Sequence, residues 1–263
     1  MNLTSDHLQK LLGFPFRGRD WQTRLGIAAL VALSGWVVPI LPWLILTGYA
    51  IQIARQVAVE GRDPELPAWT DWTTYLVDGF KVSAARFVMA LPVTLVFVLG
   101  YGVMFGGAVG GGVIGATGGR DTEDIGALIA VVSSMGGLTL ILAAIPLMLA
   151  LALILPVPSM HVALTGDFGA MFRFREWWAL LRADLGAWAI GYLVLLGIGL
   201  IVNVAMSFAM ATIVLCFVMP FIMIVYMVYS VLISEVVFAQ AYRSASLKLG
   251  LAPGAGAVTA LQP

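Results

Sequence analysis

Long apolar runs constrain the fold of this sequence more than any motif does. They cover residues 25–53, 82–105, 125–158, 187–210 and 211–238. An ordinary soluble domain is about a quarter charged, whereas this chain is 61% hydrophobic and only 11% charged. A helix that crosses a bilayer needs about 20 consecutive apolar residues. The sequence therefore predicts an all-α protein, a polytopic bundle of transmembrane helices in the cell membrane.

Charge and composition narrow the class of function. The formal net charge is +0, so a basic surface for nucleic acid is not expected. The lead of residues 1–24 is long and aromatic, and no small-residue cleavage site follows it. We therefore expect this lead to be retained rather than removed as a signal peptide. The lipid bilayer is the expected partner, with other membrane proteins or a homo-oligomer as further candidates.

Proline interrupts the first apolar run. Residues 25–53 contain Pro39 and Pro42, and Gly35 lies just before them. Because proline removes a backbone donor and clashes with the preceding turn, the helix must kink or break there. Each half is shorter than the ~20 residues of a full span. The run is therefore either one kinked span or a two-helix hairpin that dips in and returns.

Two polar segments have the aromatic and charged pattern of amphipathic helices that lie in the headgroup region. They are residues 54–81 and residues 159–186. We predict one interfacial amphipathic helix in each. In the first, Pro67 suits the first turn of a helix. Asp78 and Lys81, three residues apart, are expected to pair on its wet face.

The distribution of Lys and Arg decides between two topologies. If residues 25–53 cross once, the basic segments 1–24 and 54–86 face opposite compartments. If that run returns, all of the 14 basic residues except Arg120 share one side. The positive-inside rule therefore favours a proline-broken first hairpin, four further membrane spans and cytoplasmic termini. Whether the first hairpin crosses fully is left open.

The predicted domain organisation has three parts. They are a polar lead over residues 1–24, a single transmembrane domain over residues 25–242 and a disordered tail over residues 243–263. Within residues 106–119, glycines recur at every fourth position. In a helix this spacing lets a neighbouring backbone approach closely, whereas outside a helix the same glycines form a mobile loop. The sequence leaves both interpretations open.

Few side chains suit chemistry. His7 and His161 have no second ligand at helical spacing, so we expect neither a metal nor another cofactor. Cys216 stands among apolar residues and is expected to act as a small packing residue. Asn203 and Glu235 are the intramembrane polar candidates, because an ionisable group within a bilayer costs at least ~3 kcal/mol. The simpler expectation is that Glu235 lies at the interface, paired with Arg86 or Arg182, and that Asn203 bonds a neighbouring helix.

A block that begins near the end of the first run carries a family resemblance. It contains Gly48-Tyr49, Arg55, Gly61, Leu66-Pro67-Ala68-Trp69-Thr70-Asp71-Trp72 and Val77-Asp78-Gly79-Phe80-Lys81. This block resembles the hallmark of the DUF4013 family of bacterial and archaeal membrane proteins. That hallmark is a Gly-Tyr, then a Leu-Pro-Glu-Trp-type block, then Asp-Gly-Leu-Lys, from which Ala68 and Phe80 depart mildly. Later features that fit are Phe172-Arg173-Phe174, Cys216 and Gln240-Ala241-Tyr242.

The resemblance implies the fold and leaves the function open, because the family has no assigned reaction. The family-motif or interfacial residues are Gly48, Tyr49, Pro67, Trp69, Asp71, Trp72, Asp78, Gly79 and Lys81. Trp69 and Trp72, three apart, are expected to share a helix face at headgroup depth. We interpret the block as a structural elbow in preference to a binding site.

Three classes of function are compatible with these features. The first is a membrane-embedded scaffold or assembly protein, indicated by interfacial helices, glycine-lined helices and few intramembrane polar groups. The alternative is a transporter or lipid-handling protein, because broken helices often mark transport sites. An enzyme is not expected, since the sequence shows no serine, histidine and acid grouping with motif spacing.

Overall fold

The computed structural model describes residues 5–210 and 218–253, and within these ranges it contains helices and no strand. The predicted all-α class is confirmed for them. The α-helices are α1 (Ser5–Gly13), α2 (Trp21–Ser34), α3 (Leu41–Arg55), α4 (Trp72–Thr117), α5 (Gly119–Ile154), α6 (Pro156–Thr165), α7 (Phe174–Ala183), α8 (Leu185–Met210) and α9 (Met219–Lys248). Short 3-10 turns lie at Phe14–Phe16 and Phe168–Phe172.

Four stretches of helix are long and apolar enough to cross a membrane. They are α4, the α5–α6 stretch Thr122–Thr165, α8 and α9. They coincide with the four apolar runs that follow residue 53, and their composition indicates a membrane protein. The tight turn expected between the last two runs falls on residues 211–217, outside the described residues.

The first apolar run breaks where its prolines predict. Helix α2 ends at Ser34, residues 35–40 are not helical, and α3 begins at Leu41 with Pro42 in its first turn. Proline is tolerated there because the missing N–H has no helical partner in any case. The two helices contain 14 and 15 residues. At 1.5 Å per residue each is about 22 Å long, short of the ~30 Å hydrocarbon core.

The first predicted interfacial helix is not a separate element, and the predicted helix start at Pro67 is wrong. A π-helical turn, Gln56–Glu60, follows α3 and ends at Gly61, whose φ of 68° suits glycine. Residues 61–71 are not helical, and α4 begins at Trp72. The physical reason is that Pro64 and Pro67 each disfavour the helical conformation of the residue before them.

The second predicted amphipathic helix is present as α7. Its Glu176, Trp177 and Leu180 are buried, whereas Phe174 and Trp178 are exposed. A helix with one buried face and aromatic side chains on the other matches the predicted pattern. Its depth relative to a bilayer stays a prediction.

The chain forms two compact units. Unit 1 comprises residues 1–85 and 156–263, and unit 2 comprises residues 86–155. In unit 1, helix α9 packs against α2, α3, α6, α7 and α8. Helix α1 also packs on α9, and Leu11 and Phe14 beside it are buried. The part of the predicted polar lead that contains Leu11 and Phe14 therefore belongs to the folded unit.

The predicted boundary of the disordered tail is wrong for its first residues. Helix α9 continues to Lys248, and Tyr242, Ala245 and Ser246 are buried in unit 1. The buried face of α9 thus continues past the charged residue at 243, so the helix does not end there. The remaining prediction of a tail falls largely on residues 254–263, outside the described residues.

Unit 2 is an antiparallel helix pair that packs through small residues. A Cβ on Gly107 would collide with Ser133, and one on Gly111 would collide with the Gly126 carbonyl. Such close approach is what a four-residue glycine spacing permits. The helix-packing interpretation is therefore confirmed at Gly107 and Gly111. The other register, Gly102, Gly106 and Gly110, has no atom of the described chain within 4 Å of the Cβ position.

Candidate functional site

The polar segments of the sequence meet in unit 1 and form what we name the polar layer. It consists of residues 17–24, 52–81, 161–184 and 242–248. Arg24, at the start of α2, donates a hydrogen bond to the Leu66 carbonyl. This bond joins the lead to the segment that follows α3, so the outer ends of the α2–α3 pair lie together.

Three further cations of the polar layer also donate to backbone carbonyls of other segments. These bonds run from Arg55 Nε to Ala163 (3.1 Å), from Lys81 Nζ to Gly166 (3.0 Å) and from the Arg243 guanidinium to Val57 (3.0 Å). These three carbonyls lie in the last turn of a helical element or just after it, where the final C=O groups have no partner within the helix. The basic residues therefore fasten the segments of the layer to one another.

Hydrogen bonds to its backbone carbonyls fix the non-helical segment of the family block, residues 66–68, in place. Three consecutive carbonyls accept hydrogen bonds from side chains of three other places in the chain. The pairs are Arg24 to Leu66, Tyr49 to Pro67 (2.9 Å) and Tyr75 to Ala68 (2.7 Å). Side chains thus replace the backbone partners that a helix would have supplied, which explains how this segment stays non-helical beside a packed core.

Aromatic rings cover the same segment. The Tyr49 and Trp69 rings are stacked with centroids 4.0 Å apart, and the Trp72 ring lies 5.0 Å from that of Trp69. The Trp69 indole also donates to the Arg24 carbonyl at 2.9 Å. The predicted shared helix face of Trp69 and Trp72 is wrong, because Trp69 precedes α4. The two rings nevertheless contact each other across the helix start.

Two glycines of the block bring α3 and α4 into backbone contact. A Cβ on Gly48 would collide with the Tyr75 carbonyl, and a Cβ on Gly79 would collide with the Leu44 carbonyl. Only glycine lets two helices approach so closely at these positions. The Gly-Tyr and Asp-Gly elements of the motif are therefore two halves of one helix crossing.

Asp78 neutralises a partly buried arginine at this crossing. Its carboxylate accepts hydrogen bonds from the Arg55 guanidinium and from Gln52 Nε2 (3.0 Å), and the residue is only 8% exposed. The predicted Asp78–Lys81 pair is wrong, because Lys81 reaches the Gly166 carbonyl instead. Both side chains bind other segments of the layer because the start of α4 packs inside unit 1.

Asp71 has a more local role at the start of α4. Its Oδ1 accepts a hydrogen bond from the Thr74 backbone N–H at 3.2 Å. An aspartate just before a helix in this way satisfies one of the first N–H groups, which have no helical partner. The Asp-Trp pair of the motif thus sets the first residue of the helix.

His161 belongs to a buried cluster that the sequence did not reveal. Its side chain is fully buried, with Nδ1 2.9 Å from the Tyr242 hydroxyl and Nε2 2.9 Å from Glu176 Oε2. Arg173 lies 3.9 Å from the same carboxylate. The sequence pointed to this cluster only in that Arg173 and Tyr242 both belong to the later family features.

Within the described residues, no three His, Cys, Asp or Glu side chains form a group that could hold a metal.

The intramembrane candidates lie on the last two described helices. Glu235 is buried in α9, with 3% exposure. Asn203 is exposed on α8, where its carbonyl accepts a hydrogen bond from Ser207 of the same helix at 2.9 Å. Cys216 lies outside the described residues, so its predicted packing role stays a prediction.

A comparison with known families shows to which family the chain belongs. The sequence model of one family, described as a protein of unknown function (DUF4013), matches residues 31–215. The chain belongs to the DUF4013 family. The resemblance drawn from the motif is thereby confirmed. Several of the motif residues make the contacts that join segments of the polar layer. No curated protein and no solved structure is similar to the chain.

The tyrosine of the DUF4013 Gly-Tyr pair provides a test of this layer. We expect Tyr49→Phe to lower the free energy of unfolding by about 1 kcal/mol, because the partly buried Pro67 carbonyl loses its donor. The measurement is chemical unfolding in detergent micelles. Tyr101→Phe is the matched control, since Tyr101 is 49% exposed on α4. Equal losses in both variants would contradict the assignment.

Asp184 anchors the end of α9 to the start of α8. Its carboxylate accepts hydrogen bonds from Ser244 (2.5 Å), from the Ala187 backbone N–H (3.2 Å) and from Lys248 (2.8 Å). Burial by itself raises the pKa of Asp184, but these hydrogen bonds outweigh it and hold the pKa below its ordinary value. The charged form is therefore favoured in the folded protein.

Because the pKa of Asp184 is lowered in the folded protein, the free energy of unfolding depends on pH in the acidic range. The contribution of Asp184 is complete above the ordinary aspartate pKa of about 3.9 and is lost as the pH falls through the lower folded value. We expect Asp184→Asn to lower the free energy of unfolding by about 1–2 kcal/mol at neutral pH. The variant should also lose less stability than the wild type between neutral and acidic pH. An unchanged acid dependence would contradict the role of Asp184.

Proposed function

We propose that this DUF4013 protein is a membrane-embedded scaffold that presents helices to other membrane proteins. The observation that carries the proposal is the low burial of its span-type helices. We compare the apolar 18-residue segment of each helix by the share of its residues that are buried. This share is 6% in α4, 6% in the α5–α6 stretch and 0% in α8. In α9 the corresponding share is 44%. Most of the span surface is therefore available to lipid or to helices of partners.

The engagement of the cations supports a scaffold over a transporter of polar solutes. A transporter needs polar groups that face its substrate. In the polar layer, Arg55, Lys81 and Arg243 each donate to a carbonyl of the protein itself. These three cations therefore stabilise the base of the protein and do not face a transported solute.

The same layer supports the topology in which the first run returns. All basic residues except Arg86 and Arg120 belong to unit 1. The Arg24–Leu66 bond holds both outer ends of the α2–α3 pair together, and each helix of the pair is short for a full span. By the positive-inside rule, the proposal puts the polar layer and both termini in the cytoplasm.

The open glycine register on α4 gives a test of the scaffold. Gly106→Leu fills this register at a position where a Cβ meets no atom of the described chain within 4 Å. We expect the variant to lose the membrane-protein crosslinks that the wild type forms in native membranes, at an unfolding temperature that is not lowered. Val98→Leu, at a residue 60% exposed on the same helix, is the control. Identical crosslinks in Gly106→Leu and wild type would overturn the proposal.

A second candidate, lipid handling, is favoured by a groove between α8 and α9. The groove has a volume of ≈ 670 Å³, and its walls include Met206, Phe221 and Val225. Its lining is almost wholly apolar, which suits an acyl chain. Lipid transfer between vesicles distinguishes this candidate, since a pure scaffold produces none. Ala205→Trp, which narrows the groove, is expected to abolish any transfer.

A further inference from the structure

A polar cavity lies at the edge of the polar layer. It has a volume of ≈ 290 Å³, and two parts of unit 1 form its walls. One wall is the lead, from Lys10 to Arg24, and the other is the segment from Asp63 to Leu66. The Arg24–Leu66 and Trp69–Arg24 hydrogen bonds hold the two walls together. The family block therefore fixes the shape of this cavity without lining most of it.

The two walls carry opposite charges. The lead contributes Lys10, Arg17, Arg19 and Arg24, together with Asp20, which lies 4.0 Å from Arg24. The facing segment contributes the carboxylates Asp63 and Glu65. Among the described residues, no ion pair engages Lys10, Arg17, Arg19, Asp63 or Glu65. The cations of the lead and the two facing carboxylates are thus not paired with each other.

A ligand that carries both charges neutralises both walls. Arginine and lysine are the side chains that bind phosphate, through charge-assisted hydrogen bonds. Carboxylates accept hydrogen bonds from a primary ammonium, whereas a trimethylated ammonium has no N–H to donate. The charge pattern is therefore complementary to a phosphate and a primary ammonium a few bonds apart.

The apolar groove between α8 and α9 begins beside this cavity. Phe14 lines the cavity, whereas Phe16, two residues later, lines the groove together with Tyr229. The Phe16 and Tyr229 rings are stacked with centroids 6.1 Å apart, and the Tyr229 hydroxyl donates to the Leu12 carbonyl at 3.2 Å. A single short turn thus separates a charged cavity from an acyl-sized groove.

We propose that unit 1 binds one phospholipid whose headgroup contains a phosphate and a primary ammonium, as in phosphatidylethanolamine. The phosphate binds the cations of the lead, the ammonium binds Asp63 and Glu65, and an acyl chain lies in the α8–α9 groove. This binding site goes beyond the scaffold function. It also differs from lipid handling, because a lipid can stay bound without being transferred.

The test measures binding of dioleoyl phospholipids to the detergent-solubilised full chain by native mass spectrometry. We expect phosphatidylethanolamine to bind roughly tenfold more tightly than phosphatidylcholine or phosphatidylglycerol, which is the effect of one or two charge-assisted hydrogen bonds. Stepwise N-methylation of the headgroup should weaken binding step by step. This series needs no variant, and equal affinity across it would overturn the proposal.

Variants test which wall of the cavity binds the ammonium and which binds the phosphate. Asp63→Asn with Glu65→Gln is expected to bind phosphatidylethanolamine and phosphatidylcholine equally. Arg17→Gln with Arg19→Gln is expected to lower the affinity for every phospholipid by roughly tenfold. Arg175→Gln removes one positive charge from an exposed residue outside the cavity and should change neither affinity. A preference for phosphatidylethanolamine that survives loss of both carboxylates would overturn the assignment.

Discussion

Gly79→Ala is expected to destabilise the protein by about 3 kcal/mol or more, the upper end for added volume in a packed site. The added Cβ meets the Leu44 carbonyl, and the Gly48 backbone nitrogen lies 2.9 Å from the same position. Because both obstacles are backbone atoms, no side chain can rotate to make room. Helices α3 and α4 must separate, and the crossing that holds the family block opens.

The matched control is an alanine at a glycine of the same helix without neighbours. Gly102→Ala meets no atom of the described chain within 4 Å, so we expect it to leave stability unchanged or raise it by up to ~1 kcal/mol through helix propensity. Chemical unfolding in mixed micelles measures both variants. A Gly79→Ala protein as stable as Gly102→Ala would contradict the backbone contact.

Asp78→Asn is expected to cost about 2–3 kcal/mol, because it leaves the Arg55 guanidinium without its counter-charge. This value is at the lower end for a broken buried pair, since the Arg55 side chain is 25% exposed and water screens part of the loss. Gln52 also loses part of its acceptor. The Arg55 bond to the Ala163 carbonyl stays, so we expect weakening rather than complete unfolding.

Asp71→Asn is the control for this variant, because it removes the same charge from the same DUF4013 motif. Asparagine caps helices as well as aspartate does, so stability should change by less than ~0.5 kcal/mol. Unfolding of the two variants side by side separates the ion pair from the cap. Equal effects of the two substitutions would show that Asp78 does not hold Arg55 in the folded protein.

The local features of the fold could be predicted from the sequence. The break at Pro39 and Pro42 follows from covalent geometry, and the long spans follow from the length of apolar runs. The glycine register that packs α4 on α5 could be predicted only in part, because the spacing puts Gly107 and Gly111 on one face of a helix but left a mobile loop equally open. Each of these inferences depends on a short piece of chain.

The polar layer could not be predicted in the same way. The spacing of Trp69, Trp72 and Tyr75 imitates a helix, whereas Pro64 and Pro67 keep the chain extended until Trp72. The partners that satisfy this extended backbone come from distant positions, and no periodicity reports a side chain that binds a carbonyl 42 residues away, as in the Arg24–Leu66 bond. The His161 cluster escaped prediction for the same reason, since His161 and Tyr242 are 81 residues apart.

Cysteine labelling in intact cells tests most directly whether the basic segments share one membrane face. Single cysteines at Lys10, Glu60 and Asp124, with Cys216 replaced by serine, are treated with a membrane-impermeant maleimide before and after permeabilisation. We expect positions 10 and 60 to react only after permeabilisation and position 124 to react before it. Labelling of positions 10 and 60 from opposite sides would contradict the returning first hairpin and the single polar layer.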